Sequence, residues 1–182
     1  GMILAIVLFG VLGPLIVGNP RSIRDIGLTP PSGEFPLGTT QTGQDILAQL
    51  AHATQGSLLM GLMVGLGAPL LSLNFGVIGS FRGGWVDESF SLFTNVMLVI
   101  PALPLIIVIS SYVPDKSIWM LAVVLTITSW AAAARVLRSV TLSLRNRDYV
   151  AAAQVSGEKS WRIITFEIIP NLVPVLAAQF VL

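Results

Sequence analysis

The sequence predicts an all-α, multi-spanning membrane helical bundle, and three observations support this fold class. Hydrophobic residues make up 54% of the 182 residues, and charged residues make up only 10%. Because a soluble domain carries roughly 25% charged residues, this chain lacks the charge needed to cover a water-facing surface. The third observation is that apolar stretches long enough for a helix to cross a bilayer, about 20 residues, separate the charges. An ordinary soluble enzyme and a disordered tail are therefore excluded.

The composition also limits the chemistry of the chain. It has no cysteine, which excludes disulfides, thiolate metal sites and cysteine nucleophiles. The single histidine, His52, cannot form a zinc site by itself and is interpreted as a solvated side chain. A net charge of +1 gives no extended basic field. We therefore expect no metal site, no cofactor and no nucleic-acid partner.

Residues 1–17 are predicted to form the first transmembrane span. They carry no charged side chain, and Met2 to Val17 are almost wholly apolar. A secretory signal peptide is disfavoured because no basic segment precedes the apolar stretch and no small-residue cleavage pattern follows it. The span begins abruptly, and the chain stops at Leu182 while it is still apolar. We therefore expect a fragment that is truncated at both ends.

Residues 18–56 are predicted to form an outer loop with an amphipathic helix at its end. Proline and glycine are frequent in the loop and are typical of turns. Polar residues then occupy one face of a helix at the membrane interface, namely Asp45, Gln49, His52 and Gln55. Apolar residues recur at helical spacing on its other face, namely Ile46, Leu47, Leu50 and Ala51.

Residues 57–182 are predicted to contain the remaining spans. These run from about Ser57 to Ser80, from Ser89 to Ser111, from Ser117 to Ala134, and from near Ile168 to the end of the chain. Pro101 and Pro104 should kink or break the second of these, because proline lacks a backbone N–H.

The basic residues predict how the spans are oriented. Seven of the ten Lys and Arg residues fall on one side, namely Arg82, Arg135, Arg138, Arg145, Arg147, Lys159 and Arg162. The other side has Arg21, Arg24 and Lys116. The positive-inside rule therefore places residues 135–167 in the cytoplasm and residues 18–56 outside, in a multi-pass protein of the inner (cytoplasmic) membrane.

Four arginines at the inner end of the spans are interpreted as anchors for membrane lipid. Anionic headgroups attract basic side chains at this position, and this interpretation is favoured over a nucleotide site. The four are Arg135, Arg138, Arg145 and Arg147.

The predicted cytoplasmic segment, residues 135–167, is too charged to span and too regular to be an unstructured loop. Asp148 is placed to cap a short helix, and Gly157 can end that helix with a positive φ. Ser160 can cap a second helix over Trp161–Glu167, and Pro170 falls in the first turn of the next span. The local pattern therefore predicts a helix, a glycine turn, a second helix and a new span.

This segment resembles the "EAA" loop of ABC-importer permeases. The loop's pattern is matched by Ala151-Ala152-Ala153, then Gly157 after three residues, and later Ile169-Pro170-Asn171. The fuller string from Asp148 to Asn171 is similar to the dipeptide, oligopeptide and nickel branch. Residues 35–39 and 43–47 resemble the outer-loop signature of that branch, and Phe81–Asp87 resembles its inner turn. The resemblance covers residues 35–182.

Four positions depart from the family patterns. Ala151 stands in place of the Glu of EAA, Gln44 in place of an Arg, Thr40 in place of an acidic residue, and Ile169 in place of a Leu. Ala151 removes one polar contact to a partner, whereas Gly157 and the helix pair are retained.

The resemblance implies a type I ABC importer permease fold and three kinds of protein partner. These are cytoplasmic ABC ATPase subunits, a second, related permease subunit, and an extracytoplasmic solute-binding protein. Residues 57–182 would be the permease domain, and residues 135–167 would couple it to the ATPase. The coupling residues implied are Asp148, Tyr149, Ala151, Ala152, Ala153, Gly157, Glu158, Arg162, Pro170 and Asn171. Because the chain has no Gly-x-x-x-x-Gly-Lys-Ser/Thr string, ATP hydrolysis would belong to the partner.

Several alternatives remain open from the residues alone. Asn74 and Asn95 could line a translocation path or form hydrogen bonds between helices. Gly61 and Gly65 fit a small-residue packing stripe. A secondary carrier is disfavoured because no charged residue lies deep inside the predicted spans. A non-transporting scaffold would require the three ordered motifs to arise by chance.

Overall fold

Helices provide the regular structure of this protein. The computed structural model describes residues 1–24, 26–112 and 117–181, and the side chains of these residues up to 178. The helices there are α1 (Met2–Ile16), α2 (Ile46–Ser72), α3 (Gly79–Arg82), α4 (Gly84–Val99), α5 (Ala102–Tyr112), α6 (Ile118–Leu144), α7 (Asp148–Val155), α8 (Ser160–Ile163) and α9 (Ile169–Val181). Two π-helical turns, Leu73–Ile78 and Ile164–Ile168, join α2 to α3 and α8 to α9. The all-α fold class is confirmed. Lys116 and Leu182, which the sequence assigned to the outer side and to the last span, are not among the described residues.

Three helical stretches among the described residues are long and apolar enough to cross a membrane: Ile46–Arg82, Ile118–Leu144 and Ser160–Ala178. A fourth candidate combines α4 and α5, which meet at an 84° bend. The predicted break at the prolines is confirmed, because the helix stops before Pro101 and Ile100 is extended at ψ 120°. Proline disfavours the helical conformation at the residue before it.

The predicted interface helix and the span after it are one continuous helix. The sequence placed a change of element near Ser57, but helical backbone runs from Ile46 to Arg82. Asp45 caps it, because its Oδ1 accepts a hydrogen bond from the Leu47 N–H at 2.8 Å. The polar and apolar faces of residues 46–56 reflect local packing and do not mark a separate element.

Residues 1–62 form one compact unit. Here α1 packs closely on the first part of α2, because a Cβ added at Gly10 would lie 2.5 Å from Leu58 Cδ1. The outer loop is ordered around Thr39, which is fully buried. Its Oγ1 donates to the Gly27 carbonyl at 2.7 Å and accepts from the Thr29 N–H at 2.9 Å. The predicted loop therefore has a defined internal structure.

Residues 63–182 form the second unit, in which α6 is the central helix. The first π turn, α4, α5, α3 and α9 all pack against it. Gly76 permits the closest approach, since a Cβ there would lie 2.5 Å from the Ala134 carbonyl oxygen. The main apolar core consists of Val77, Leu137, Val150, Ile163, Ile164, Ile168 and Leu172.

Two helix ends differ from the prediction. Helix α6 continues to Leu144, whereas the sequence ended the span near Ala134. The predicted second helix and last span are continuous from Ser160 to Val181, so Pro170 lies inside a helical stretch and not in the first turn of a new one. The π turn just before Pro170 accounts for this continuity: the Ile169 N–H donates to Ile164, five residues back. Such turns accommodate the backbone groups that a proline disturbs.

Candidate functional site

Helix α7 begins at an extended residue, Arg147, with φ −80° and ψ 149°. The Arg147 carbonyl accepts hydrogen bonds from Val150 and Ala151 at 3.0 and 3.1 Å. The prediction that Asp148 caps the helix is therefore wrong by one position, and Asp148 is the first helical residue. Its negative charge still favours the helix start, where the backbone dipole is positive.

The corner after α7 is a Schellman motif centred on Gly157. The Glu158 N–H donates to the Ala153 carbonyl at 3.1 Å, and the Gly157 N–H donates to the Gln154 carbonyl at 3.0 Å. Gly157 has φ 79°, as the sequence predicted. No heavy atom lies within 4 Å of a Cβ added there. Glycine is therefore favoured at this corner by the backbone conformation and not by lack of space.

Helix α8 follows the corner after two residues. Its cap is Lys159, whose carbonyl accepts from the N–H groups of Arg162 and Ile163 at 2.9 and 3.2 Å. The predicted cap Ser160 is the first residue of the helix. An ion pair between Glu158 and Arg162, at 3.3 Å, spans the start of α8.

The segment 148–167 has one buried side and one exposed side. Val150 is fully buried and Ile163 nearly so, and both belong to the apolar core around α6. In contrast, Val155 is 89% exposed and Trp161 is 61% exposed. These two side chains flank the Gly157 corner in sequence. Trp161 also lines a groove of about 420 Å³ together with Gly157, Glu158 and Arg162. The apolar core therefore holds the corner in place. Val155 and Trp161 form the exposed apolar tip of the corner.

The ten predicted coupling residues do not all lie at this corner. Gly157, Glu158 and Arg162 line the groove. Five of the ten lie on α7 and are exposed, apart from the half-buried Ala153; they are Asp148, Tyr149, Ala151, Ala152 and Ala153. Pro170 and Asn171 are exposed on α9, away from the groove, and the Asn171 side chain donates to the Glu167 carbonyl of its own helix at 2.6 Å. Sequence reasoning missed Val155 and Trp161, whose signal was their apolar character in a polar segment.

Three of the four predicted lipid anchors, Arg135, Arg138 and Arg145, form hydrogen bonds with the protein itself. Arg138 donates two hydrogen bonds to Asp87, from Nε at 2.7 Å and from Nη2 at 2.8 Å. Arg145 donates from Nη1 to the Ser80 carbonyl at 2.6 Å. These donors hold the inner turn Phe81–Asp87 against α6, and the interpretation of the four arginines as headgroup anchors stays a prediction. The Arg147 side chain is exposed.

The two asparagines assigned to the pore have different surroundings. Asn74 is exposed and donates to the Leu70 carbonyl of its own helix at 2.7 Å. Asn95 accepts a hydrogen bond from Arg135 Nη2 at 2.7 Å, which links α4 to α6. This is the interhelical contact that the sequence left as an alternative to pore lining. Because α6 includes Arg135 and Arg138, charged residues do lie within the long helices, contrary to the boundary drawn from sequence.

Two further sequence predictions concern the glycine packing stripe and His52. A Cβ added at Gly61 would meet no heavy atom within 4 Å, whereas one at Gly67 would lie 2.7 Å from Thr126 Cγ2. The close helix contact is therefore made at Gly67 and not at Gly61. His52 Nδ1 lies 2.9 Å from the Ala48 carbonyl oxygen. Over the described residues, no group of three or more His, Cys, Asp or Glu side chains could hold a metal ion.

The fold and this segment define a multi-pass, all-α protein of the inner membrane with an exposed helical corner. Residues 72–182 match the family described as the binding-protein-dependent transport system inner membrane component, and the chain belongs to this family. The resemblance to ABC-importer permeases is thereby confirmed.

Curated relatives agree with this family. The chain is 32% identical over 170 residues to the oligopeptide transport system permease protein OppC of Mycobacterium tuberculosis, covering 91% of this chain and 57% of the relative. It is 28% identical to the dipeptide transport system permease protein DppC of Bacillus subtilis, covering 100% of this chain and 58% of the relative. It is 36% identical to the inner membrane ABC transporter permease protein YejE of Escherichia coli, covering 79% and 42%. The chain thus spans little more than half the length of OppC and DppC and less than half that of YejE.

Proposed function

We propose that this chain is the membrane-spanning part of a permease subunit in an ATP-driven importer of peptides or a related small solute. The substrate class follows the relatives, which are named as oligopeptide and dipeptide permeases. In this proposal residues 57–182 form the permease domain, residues 18–56 face outward, and ATP is hydrolysed by a partner subunit. A second permease subunit would complete the path, and an outer solute-binding protein would deliver the solute.

The observation that carries the proposal is the corner at Gly157 with its buried and exposed sides. Val150 and Ile163 fix α7 and α8 to the core around α6, so a force on the tip would be transmitted to the spanning helices. Val155 and Trp161 present apolar surface at that tip. Two exposed apolar side chains on either side of one corner, in an otherwise polar segment, support docking of a partner protein. We infer that this partner is the cytoplasmic ATPase.

The mechanism that follows is a two-state one. Closure of the ATPase pair on ATP would move the docked corners, and each corner would carry its attached helices between inward-open and outward-open arrangements. The ion pair of Asp87 with Arg138 keeps α4 attached to α6, so both helices would move together. The chain itself would supply the translocation path and the helices that move. The partner ATPase would supply the free energy from ATP hydrolysis.

A pair of matched tryptophans tests the docking step. Trp161 at the corner is 61% exposed, and Trp119 near the start of α6 is 60% exposed. In the full-length protein co-expressed with its ATPase subunits, Trp161→Ala should reduce co-purification of the ATPase and ATP-dependent solute uptake by about tenfold, since interface aromatics often contribute this much. Trp119→Ala should leave both near normal. Equal retention of the ATPase by the two variants would refute docking at the corner.

A further inference from the structure

A pocket of about 250 Å³, with both polar and apolar walls, lies between α4, the first π turn and α6. Its walls include Phe75, Ser91, Asn95, Arg135 and Arg138. It is distinct from the Gly157 groove, and the proposed coupling does not use it. Two arginines at one pocket point to an anionic ligand, provided that at least one of the two charges is not already matched.

The two arginines differ in whether their positive charge is matched by a carboxylate. Arg138 is matched, because it forms a bidentate ion pair with Asp87. The Arg135 contact is with Asn95 Oδ1, a neutral amide oxygen. Among the described side chains, no carboxylate lies within 4 Å of Arg135. Arg135 and Asn95 are both exposed, so the pocket opens to the surface and has one positive charge with donors to spare.

The hydrogen bond between Arg135 and Asn95 also fixes the orientation of the Asn95 side-chain amide. Because Asn95 Oδ1 accepts from Arg135, the Asn95 Nδ2 group is left as a second donor, and it has no acceptor among the described residues. A guanidinium and an amide N–H₂ held together can donate to the two oxygens of one carboxylate. The volume lies below the roughly 300–1,000 Å³ of a site for a whole small molecule. It suits the end of a longer ligand.

We propose that Arg135 and Asn95 bind the carboxylate end of the solute as it passes through the permease. The inference rests on the proposed function, and it identifies the solute chemistry as a free carboxylate, such as the C-terminus of a short peptide. The single unmatched positive charge of Arg135 fits a carboxylate, which has one negative charge. The phosphodiester of an anionic lipid headgroup has the same charge, and the test separates the two sources.

A labelling experiment on the full-length protein tests the pocket without requiring transport. Ser91→Cys places a thiol at the pocket wall, in a background without other reactive thiols, in bilayer discs of zwitterionic lipid. Tri-alanine should slow thiol labelling, whereas tri-alanine amide should not. Arg135→Gln should weaken protection by about tenfold, the usual effect of losing a hydrogen bond to a charged group. Arg82→Gln, which removes an exposed arginine outside the pocket, should keep full protection.

Other results would overturn the proposal. Equal protection by the acid and the amide, or protection that survives Arg135→Gln, would exclude carboxylate recognition. Slowing by anionic lipid in the discs, with no effect of tri-alanine, would identify a headgroup site instead. Because no ATPase is present, failure here leaves the Trp161 result unaffected, and failure of the Trp161 test leaves this result unaffected.

Discussion

Asp87 accepts two hydrogen bonds from Arg138, at 2.7 and 2.8 Å, and so joins the first turn of α4 to the last third of α6. The Asp87 side chain is only 13% exposed and that of Arg138 is 34% exposed. Bidentate geometry and partial burial make this pair stronger than a typical surface ion pair. It fixes the inner turn between the second and third spans against the helix that leads to the Gly157 corner.

The first prediction concerns this pair. In a double-mutant cycle, Asp87→Ala and Arg138→Ala should each lower the thermal unfolding midpoint in detergent. The double variant should lose little more than either single variant, with a coupling of about 1–2 kcal/mol, between surface and buried values. Glu88→Ala, at the exposed neighbouring carboxylate, should change the midpoint little. Additive effects would show that the two side chains act independently.

The second prediction concerns orientation. Because basic residues are concentrated at one end of the spans, cysteines at Ser32 and Ser160 should react with an impermeant thiol reagent from opposite sides of sealed cells. Ser32 should label from outside and Ser160 only after the membrane is opened. A cysteine at Tyr112, which is 83% exposed at the end of α5, should behave like the one at Ser32. Labelling of both Ser32 and Ser160 variants from outside would contradict this topology and the docking proposal with it.

The third prediction concerns Gly157. A β-branched residue resists φ 79° at a cost of about 1 kcal/mol or more, which is too little to unfold the protein but enough to displace the corner. Gly157→Val in the full-length transporter should leave abundance near normal and reduce uptake relative to ATP hydrolysis. Gly157→Asn should be milder, since Asn tolerates positive φ.

Gly33→Val provides the control for this substitution, because Gly33 has open space around it and no positive φ. We expect it to transport normally. If Gly157→Val also transported at the normal rate with its ATPase bound, the corner would not be the mechanical link.

The fourth prediction concerns Gly76 in the first π turn. Its Cβ would lie 2.5 Å from the Ala134 carbonyl oxygen, so Gly76→Ala must push the turn away from α6. Overpacking of this kind costs about 1–3 kcal/mol, and the thermal midpoint in detergent should fall accordingly. Gly61→Ala, where the added methyl meets nothing within 4 Å, should be neutral or slightly stabilising. An unchanged midpoint for Gly76→Ala would mean that the helices do not approach so closely.

Much of the fold could be predicted because the signals were local. The proline break near Ile100, the positive φ of Gly157 and the apolar spans each depend on a few consecutive residues. Element boundaries were less predictable. Helix α6 passes Ala134 because Leu137 and Thr141 pack as buried residues on its inner half, although the charged Arg138 lies between them. The caps at residues 147 and 159 were each missed by one position, since an extended backbone can cap without a side chain.

The sequence by itself determined the membrane class, the family and the location of the candidate corner, because hydropathy and motif order depend only on the residues in line. The tertiary structure alone decided which polar side chains meet. Asp87 and Arg138 are 51 positions apart, and Asn95 and Arg135 are 40 apart, so no local pattern could pair them. Packing of α4 and the first π turn against α6 brings these groups together. The Asp87 carboxylate, only 13% exposed, needs its arginine partner, because an unpaired buried charge costs several kcal/mol.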